Sequence, residues 1–315
     1  MKHICILMLA ILGVSPSMTG QSENPEPSRD YTLVVEGFDW GPAVSKAILD
    51  FDTALEEAPA GNFRVQASRS TDLAEIPEAF ASGERNVLGS YVSDAEGNRS
   101  ESGTHLTLIL GVGPSMPLSS PFHYANNDRI RGNFWVDYRF SVTHMPSLRS
   151  WDQKTGKVMP LVDRFDLDGV FEYAPGKQLT YASYTPSTSG KHPLIIWLHG
   201  GGEGGTDPTI PLLGNRAANY ASDEIQALFG GAFVLAPQTP TFWMNAEDGE
   251  YTRGDKEDIY HVGLMALIED YVSTHPEIDR DRIYVGGCSN GGYMSLKLIL
   301  EHPEFDVLPS NVAMF

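Results

Sequence analysis

The stretch Tyr284-Val285-Gly286-Gly287-Cys288-Ser289-Asn290-Gly291-Gly292 decides the fold of the second half of this chain. An apolar run from Ile283 to Val285 reads as a short buried strand, and Met294 to Leu300 reads as a helix. Between them, Gly287-Cys288-Ser289-Asn290-Gly291 fits G-x-S-x-G in the strand–turn–helix setting of a nucleophile elbow. Such a turn strains the serine backbone and lifts its Oγ above the sheet edge. Glycine is needed at 287 and 291 because a Cβ there would collide. The bland alternative is a glycine-rich turn with an incidental serine, and a second motif upstream weighs against it.

That motif follows Pro193-Leu-Ile-Ile-Trp-Leu-His199, a near-continuous apolar run of the kind found in a central strand buried on both faces. Next comes His199-Gly200-Gly201-Gly202-Glu203-Gly204-Gly205. Ester hydrolysis passes through a tetrahedral oxyanion, best stabilised by backbone N–H groups aimed at it in advance. Glycines let a backbone come that close. Asn290 N–H, just after the serine, supplies one donor, and Gly201 or Gly202 supplies the other. A phosphate cradle is disfavoured because no G-x-x-x-x-G-K-[ST] is present and the loop has no lysine.

Around these motifs, strands alternate with helices. Gly169 to Tyr173 and Gln178 to Tyr184 form a hairpin through Ala174-Pro175-Gly176-Lys177, which suits a type II turn. Alanine-rich Arg216 to Phe229 reads as one helix closed by Gly230 and Gly231. Ala232 to Pro237 reads as a strand. Asp255 to Ser273 reads as a helix with an acidic first turn and with Ile259, Val262, Ala266 and Leu267 on one face. Asn311 to Phe315 looks like another strand beginning. The pattern predicts a doubly wound, mostly parallel sheet over 165–315. Trp243 and Asn245 follow a strand C-terminus, where open sheets place ligands, so they either line a pocket or belong to a surface loop.

Residues 30–160 read differently. Tyr31 to Gly37, Phe63 to Ala67, Asn86 to Val92, His105 to Leu110 and Phe134 to Val142 are short strands separated by turn signals, as in a β-sandwich. Ala43 to Leu55 is either helix or strand. Phe134/Val136/Tyr138/Phe140/Val142 alternate with period two. Trp40, Trp135 or Trp151 could stack on sugar rings, but core packing explains a lone tryptophan better. His105, His123 and His144 have no metal-ligand spacing, and no metal or cofactor is expected. Asp166-Leu167-Asp168-Gly169 imitates an EF-hand loop, but Arg164 and Pro175 occupy ligand positions. Lys154-Thr155-Gly156 lacks the S-x-x-K that would give it chemistry.

The chain has 315 residues, with 41% hydrophobic and 20% charged, enough to bury a core. A formal net charge of −19 argues against nucleic acid and anionic membranes, and it favours neutral or weakly charged substrates. Residues 1–20 resemble an export signal: Lys2 and His3, then apolar Ile4 to Val14, too short to span a bilayer. The expected location is secreted or periplasmic, without a stable membrane anchor. Residues 21–29 form a proline-bearing linker. Without the leader only Cys288 remains, so no intrachain disulfide is possible, and its place in the elbow suits a buried small residue.

Taken together, the H-G-G-G loop and the G-x-S-x-G elbow resemble the α/β-hydrolase esterases over about residues 165–315. Leu198-His-Gly-Gly-Gly-Glu-Gly-Gly205 and Asp281-Arg-Ile-Tyr-Val-Gly-Gly-Cys-Ser-Asn-Gly-Gly292 are similar to the secreted, polyhydroxybutyrate-depolymerase-like and prolyl-oligopeptidase-like branch. Some such esterases carry an N-terminal immunoglobulin-like domain, whose start Glu36-Gly-Phe-Asp-Trp-Gly-Pro42 resembles. The resemblance implies a carboxylic ester hydrolase acting on a small or polymeric ester through an acyl-enzyme on Ser289. A serine peptidase, or a polymer-binding protein with a degenerate hydrolase half, are the alternatives.

In that family an acid and then a histidine follow the nucleophile. His302 closes the elbow helix, some 18–20 Å from the serine at about 1.5 Å per residue. His199 belongs to the loop, His261 and His275 lie on or after the preceding helix, and Asp306 is too near in sequence. The expectation is therefore that the triad Asp and His lie beyond residue 315, that the sheet is incomplete near Val312 and Phe315, and that these 315 residues alone have little activity.

Overall fold

The computed structural model describes residues 29–55, 59–253, 255–302 and 306–307. The expected leader, the expected linker as far as residue 28, and the strand expected at Asn311 to Phe315 lie outside the described residues, whereas Arg29, the last residue of that linker, opens the first strand. Ten strands form the N-terminal part: β1 (Arg29–Phe38), β2 (Gly41–Leu55), β3 (Phe63–Ser70), β4 (Ser82–Arg85), β5 (Val87–Ser93), β6 (Gly103–Leu110), β7 (Phe122–Asn126), β8 (Arg131–Trp135), β9 (Asp137–His144) and β10 (Arg149–Val158). A single helical turn, α1 (Glu78–Ala81), precedes β4.

Eight of these strands hydrogen-bond in the order β4-β3-β9-β10-β1-β2-β6-β5, so the sheet is continuous where two separate sheets were expected. It nevertheless folds over a shared core. Arg85 on β4 donates to the carbonyls of Val44 on β2 and Gly111 after β6, strands far from β4 in hydrogen-bonding order. Trp151 is fully buried between Phe51 and Phe63. The alternation of β3 is complete: Phe63, Val65, Ala67 and Arg69 point inward. Residues 43–55 extend β2, so strand wins there over helix.

The expected strand through Phe134 to Val142 is divided at Val136. Its first half, β8, leaves the large sheet and pairs only with β7. The five alternating residues are still all buried, because both halves face apolar neighbours.

The second part is a six-stranded mixed sheet ordered β11-β12-β14-β13-β15-β16, comprising β11 (Asp166–Ala174), β12 (Lys177–Tyr184), β13 (His192–Leu198), β14 (Phe233–Gln238), β15 (Ile278–Gly287) and β16 (Asp306–Val307). The hairpin β11–β12 and the pair β12–β14 are antiparallel, and the pairs among β14, β13, β15 and β16 are parallel. Gly176, at φ 71°, supplies the left-handed position of the hairpin turn.

Helices differ from expectation in two places. Residues 216–229 are not one helix. After α2 (Thr209–Gly214), Arg216 takes a left-handed conformation, and a 3₁₀ segment, Ala217–Ala221, follows. Extended Ser222 then restarts the chain as α3 (Asp223–Phe229), its hydroxyl accepting the Ile225 N–H. Further on, α4 (His261–Thr274) begins after the acidic cluster, because Asp258 accepts the N–H groups of Tyr260 and His261 from outside the helix. Its buried face is Leu264, Met265, Leu267, Ile268, Tyr271 and Val272, whereas Val262 is 78% exposed.

With α5 (Asn290–Glu301), α4 covers the sheet face carrying Leu194, Ile196, Leu198, Leu235 and Val285. On the other face, Val234, Ala236 and Ala182 join Ile210, Leu212 and Leu213 in a core that runs on into Tyr31, Leu33 and Val35 of β1. The N-terminal part is thus welded to the second sheet by shared apolar burial.

Candidate active site

Register places the two motifs side by side. Leu198 at the end of β13 is the Cα partner of Gly287 at the end of β15, so the glycine loop and the elbow leave the sheet at the same level. Ser289 follows at φ 48°, ψ −107°, an outlier for a residue with a side chain, and it is exposed. The turn leaves no room beside it. A Cβ on Gly291 would sit 2.1 Å from the Leu198 carbonyl oxygen, and one on Gly287 would sit 2.6 Å from the Gly291 carbonyl carbon. Cys288 N–H donates to Leu198 O at 3.0 Å and ties the elbow to the loop strand.

The glycine loop and the residue after Ser289 lie close together. Asn290 is the first residue of α5, and Gly201 approaches it: a Cβ on Gly201 would lie 3.8 Å from Asn290 Cβ. Among the described residues, the amides of Gly201, Gly202 and Asn290 donate to no protein acceptor. Helix N-terminal amides and an open glycine loop facing an exposed hydroxyl can stabilise negative charge developing on an attacked carbonyl.

His199 is a brace. Fully buried, it donates from Nδ1 to Gly200 O at 2.7 Å and accepts the Thr239 N–H on Nε2 at 3.1 Å. With both nitrogens engaged and burial pulling its pKa down to about 4, it stays neutral and takes no proton from Ser289. Trp243 is fully buried, tilted against His199 at 5.1 Å between ring centroids and edge-on to Tyr260 at 6.3 Å. It therefore supports the loop from below and does not line a pocket. Asn245 holds its own loop, its side-chain amide donating to Gly249 O at 3.0 Å.

Glu203 is the buried charge of the site. Its Oε1 accepts from Asn133 Nδ2 at 3.0 Å, and Asn215, which accepts the Gly200 N–H, also hydrogen-bonds to it. Burial pushes its carboxyl upward despite these partners. Burial, followed by the Glu203 charge, also raises the Cys288 thiol, which keeps it protonated and no rival to the serine.

Asn133 belongs to the N-terminal part, and sequence reasoning missed its whole neighbourhood. The hairpin β7–β8 lays one face across the second sheet's loops. Trp135 donates to Thr209 Oγ1 at 3.0 Å, the Asn133 N–H donates to Gly202 O at 2.7 Å, and Arg131 donates to the Tyr251 hydroxyl at 3.2 Å. These residues are two apart, as one face of a strand requires. Gly132, at φ 139°, was the available signal, since a strand glycine marks close backbone approach; a Cβ there would meet Gly202 O at 2.8 Å.

His261, Glu301 and His302 place one ligand atom each within 4.8 Å of one another at the far end of α5. Spacing missed this group because it joins two helices, and it is held by His261 Nδ1 facing Glu301 Oε2 at 3.2 Å.

The N-terminal part is an immunoglobulin-like domain of the esterase type: residues 30–157 match the family described as the esterase Ig-like N-terminal domain. The chain as a whole shares its fold with a crystal structure of a thermostable esterase, at a TM-score of 0.72 and 23% identity over 87% of this chain and 74% of that one. More local overlaps include an acylaminoacyl peptidase of Pyrococcus horikoshii (19% identity, 45% of this chain, 22% of that one, TM-score 0.32). An S-formylglutathione hydrolase of Agrobacterium tumefaciens overlaps similarly (18% identity, 47% of this chain, 60% of that one, TM-score 0.31). No curated protein matches the sequence.

Proposed function

We propose that this protein is an exported serine carboxylic ester hydrolase of the α/β-hydrolase kind, forming an acyl-enzyme on Ser289. The observation that carries this reading is the exposed, strained Ser289 at the head of α5, where Asn290 and the nearby Gly201 have amides that donate to no acceptor among the described residues. Attack of Oγ on the ester carbonyl would place the oxyanion between those amides, and collapse would expel the alcohol. Such a mechanism also needs a base to take the serine proton and pass it to the leaving alcohol, with an acid to orient that base. Among the described residues no histidine is hydrogen-bonded to Ser289, and His302 stands at the opposite end of the 12-residue α5.

The substrate is a small or polymeric ester, and residues 1–20 direct export. Turnover of 4-nitrophenyl esters by the purified full-length protein, with covalent labelling of Ser289 by a fluorophosphonate, tests the reading. Both are expected to vanish in Ser289→Ala. Cleavage of prolyl peptides in preference to esters would move the protein to the peptidases, and labelling that survives Ser289→Ala would remove the nucleophile.

A further inference from the structure

Arg131 stands on the N-terminal domain's hairpin yet faces the second sheet's loops. Its guanidinium lies over the Phe242 ring at 4.4 Å and over the Tyr251 ring at 5.3 Å, and it donates to the Tyr251 hydroxyl. Phe242 in turn abuts the glycine loop: its ring edge is 3.1 Å from where a Cβ on Gly201 would stand. One aromatic ring therefore separates this cation from the candidate oxyanion loop. Tyr124, across the hairpin from Asn133 and 55% exposed, reaches within 3.7 Å of the corresponding point on Gly202, so the same hairpin also borders the glycine loop there.

The charge at this position stands out against the rest of the chain. The protein carries 41 acidic residues against 22 basic ones, yet among the described residues Arg131 forms no ion pair with a carboxylate. The side chain remains exposed. Two rings and a hydroxyl fix the plane of the guanidinium while leaving most of its five N–H donors unused. A pre-oriented fork of that kind matches a carboxylate by two parallel hydrogen bonds. A net charge of −19 repels anions at long range, but salt screens that field over about 8 Å, so a local arginine can govern what settles beside the loop.

We propose that Arg131 determines specificity, binding a carboxylate carried by the ester substrate while the ester carbonyl sits at Ser289. This rests on the esterase reading above and names the substrate class within it, an ester of a dicarboxylic acid or of a carboxylate-bearing alcohol. It also gives the immunoglobulin-like domain a part in the site, through β8.

Two matched pairs test it: 4-nitrophenyl hexanoate against the 4-nitrophenyl hemiester of adipic acid, and benzyl butyrate against 4-carboxybenzyl butyrate. In at least one pair, the anionic-to-neutral ratio of kcat/KM is expected to fall at least tenfold in Arg131→Gln, to recover partly in Arg131→Lys, and to shrink with added salt in the unsubstituted protein. An unchanged ratio in both pairs overturns the proposal. Equal loss on both members of each pair does so too, because it shows Arg131 to be only structural.

Absence of any turnover lost in Ser289→Ala would instead fail the esterase reading. The proposal is then decided by calorimetric binding of the adipate hemiester and 4-carboxybenzyl butyrate to Ser289→Ala protein. At least tenfold weaker binding of either when Arg131→Gln is added supports the anion site, and no binding, or equal binding of both, overturns it.

Discussion

The Asn133 side-chain amide, on a strand of the immunoglobulin-like domain, donates to Glu203 Oε1 at 3.0 Å, inside the glycine loop of the second domain. With the neighbouring Asn133 N–H bound to Gly202 O at 2.7 Å, one residue fixes the loop from across the domain boundary. Removing it leaves a buried carboxyl short of a donor, a loss of about 1–3 kcal/mol. Asn133→Ala is expected to lower the unfolding free energy measured in urea by that amount and to lower kcat more than it raises KM. Asn133→Asp, which sets two carboxyls face to face, should be worse on both measures.

Glu203 gives a signed pH dependence. Burial raises its carboxyl, so the native state holds the proton more tightly than the unfolded chain does. Its contribution to stability is fully present below the ordinary carboxyl pKa and declines as pH rises through the raised value. Glu203→Gln is neutral throughout and should flatten that part of the curve of thermal midpoint against pH. An unaltered slope between pH 4 and 8 would contradict the assignment.

His199 acts in the opposite sense. Its pKa, depressed to about 4 by burial, means that the unfolded chain takes up a proton first as pH falls. Stability from this group is present above about pH 6.5, the unfolded value, and is lost towards pH 4. Nitrogen-15 spectra of the imidazole should show a neutral ring protonated on Nδ1 down to about pH 4.

Ser289 stores strain that a glycine would release. Its φ of 48° costs a residue bearing a Cβ roughly 1–3 kcal/mol. Ser289→Gly is therefore expected to be more stable than Ser289→Ala by about 1 kcal/mol in denaturant unfolding, with no acyl-enzyme formed by either. Equal stabilities would show that the turn relaxes.

Gly291 tests the closeness of the two motifs. With only 2.1 Å available to a Cβ before the Leu198 carbonyl, Gly291→Ala must push the elbow off β13. Loss of serine labelling, together with a drop in thermal midpoint of several degrees, is the expected outcome.

The chemical text of the site was local and therefore legible. Gly287, Ser289 and Gly291 announce a turn that only small residues survive, and the apolar runs before His199 and Cys288 announce the strands that carry it. Helix limits were less legible, because capping by Ser222 and Asp258 is settled by single hydrogen bonds that periodicity does not register. Trp243 is a similar case: a tryptophan after a strand end suits a pocket wall or a surface loop equally, and only its full burial against His199 places it in the core.

By itself, then, the sequence determined the elbow, its partner loop and the division between an all-β part and an alternating part, since each depends on residues adjacent in the chain. The tertiary structure alone decided that β7–β8 closes over the loop and that Asn133 braces Glu203. It alone also set Arg131 one ring from Gly201. Those contacts join residues some 70 to 120 positions apart, brought together by the shared core between the two sheets, and no local pattern of the chain encodes them.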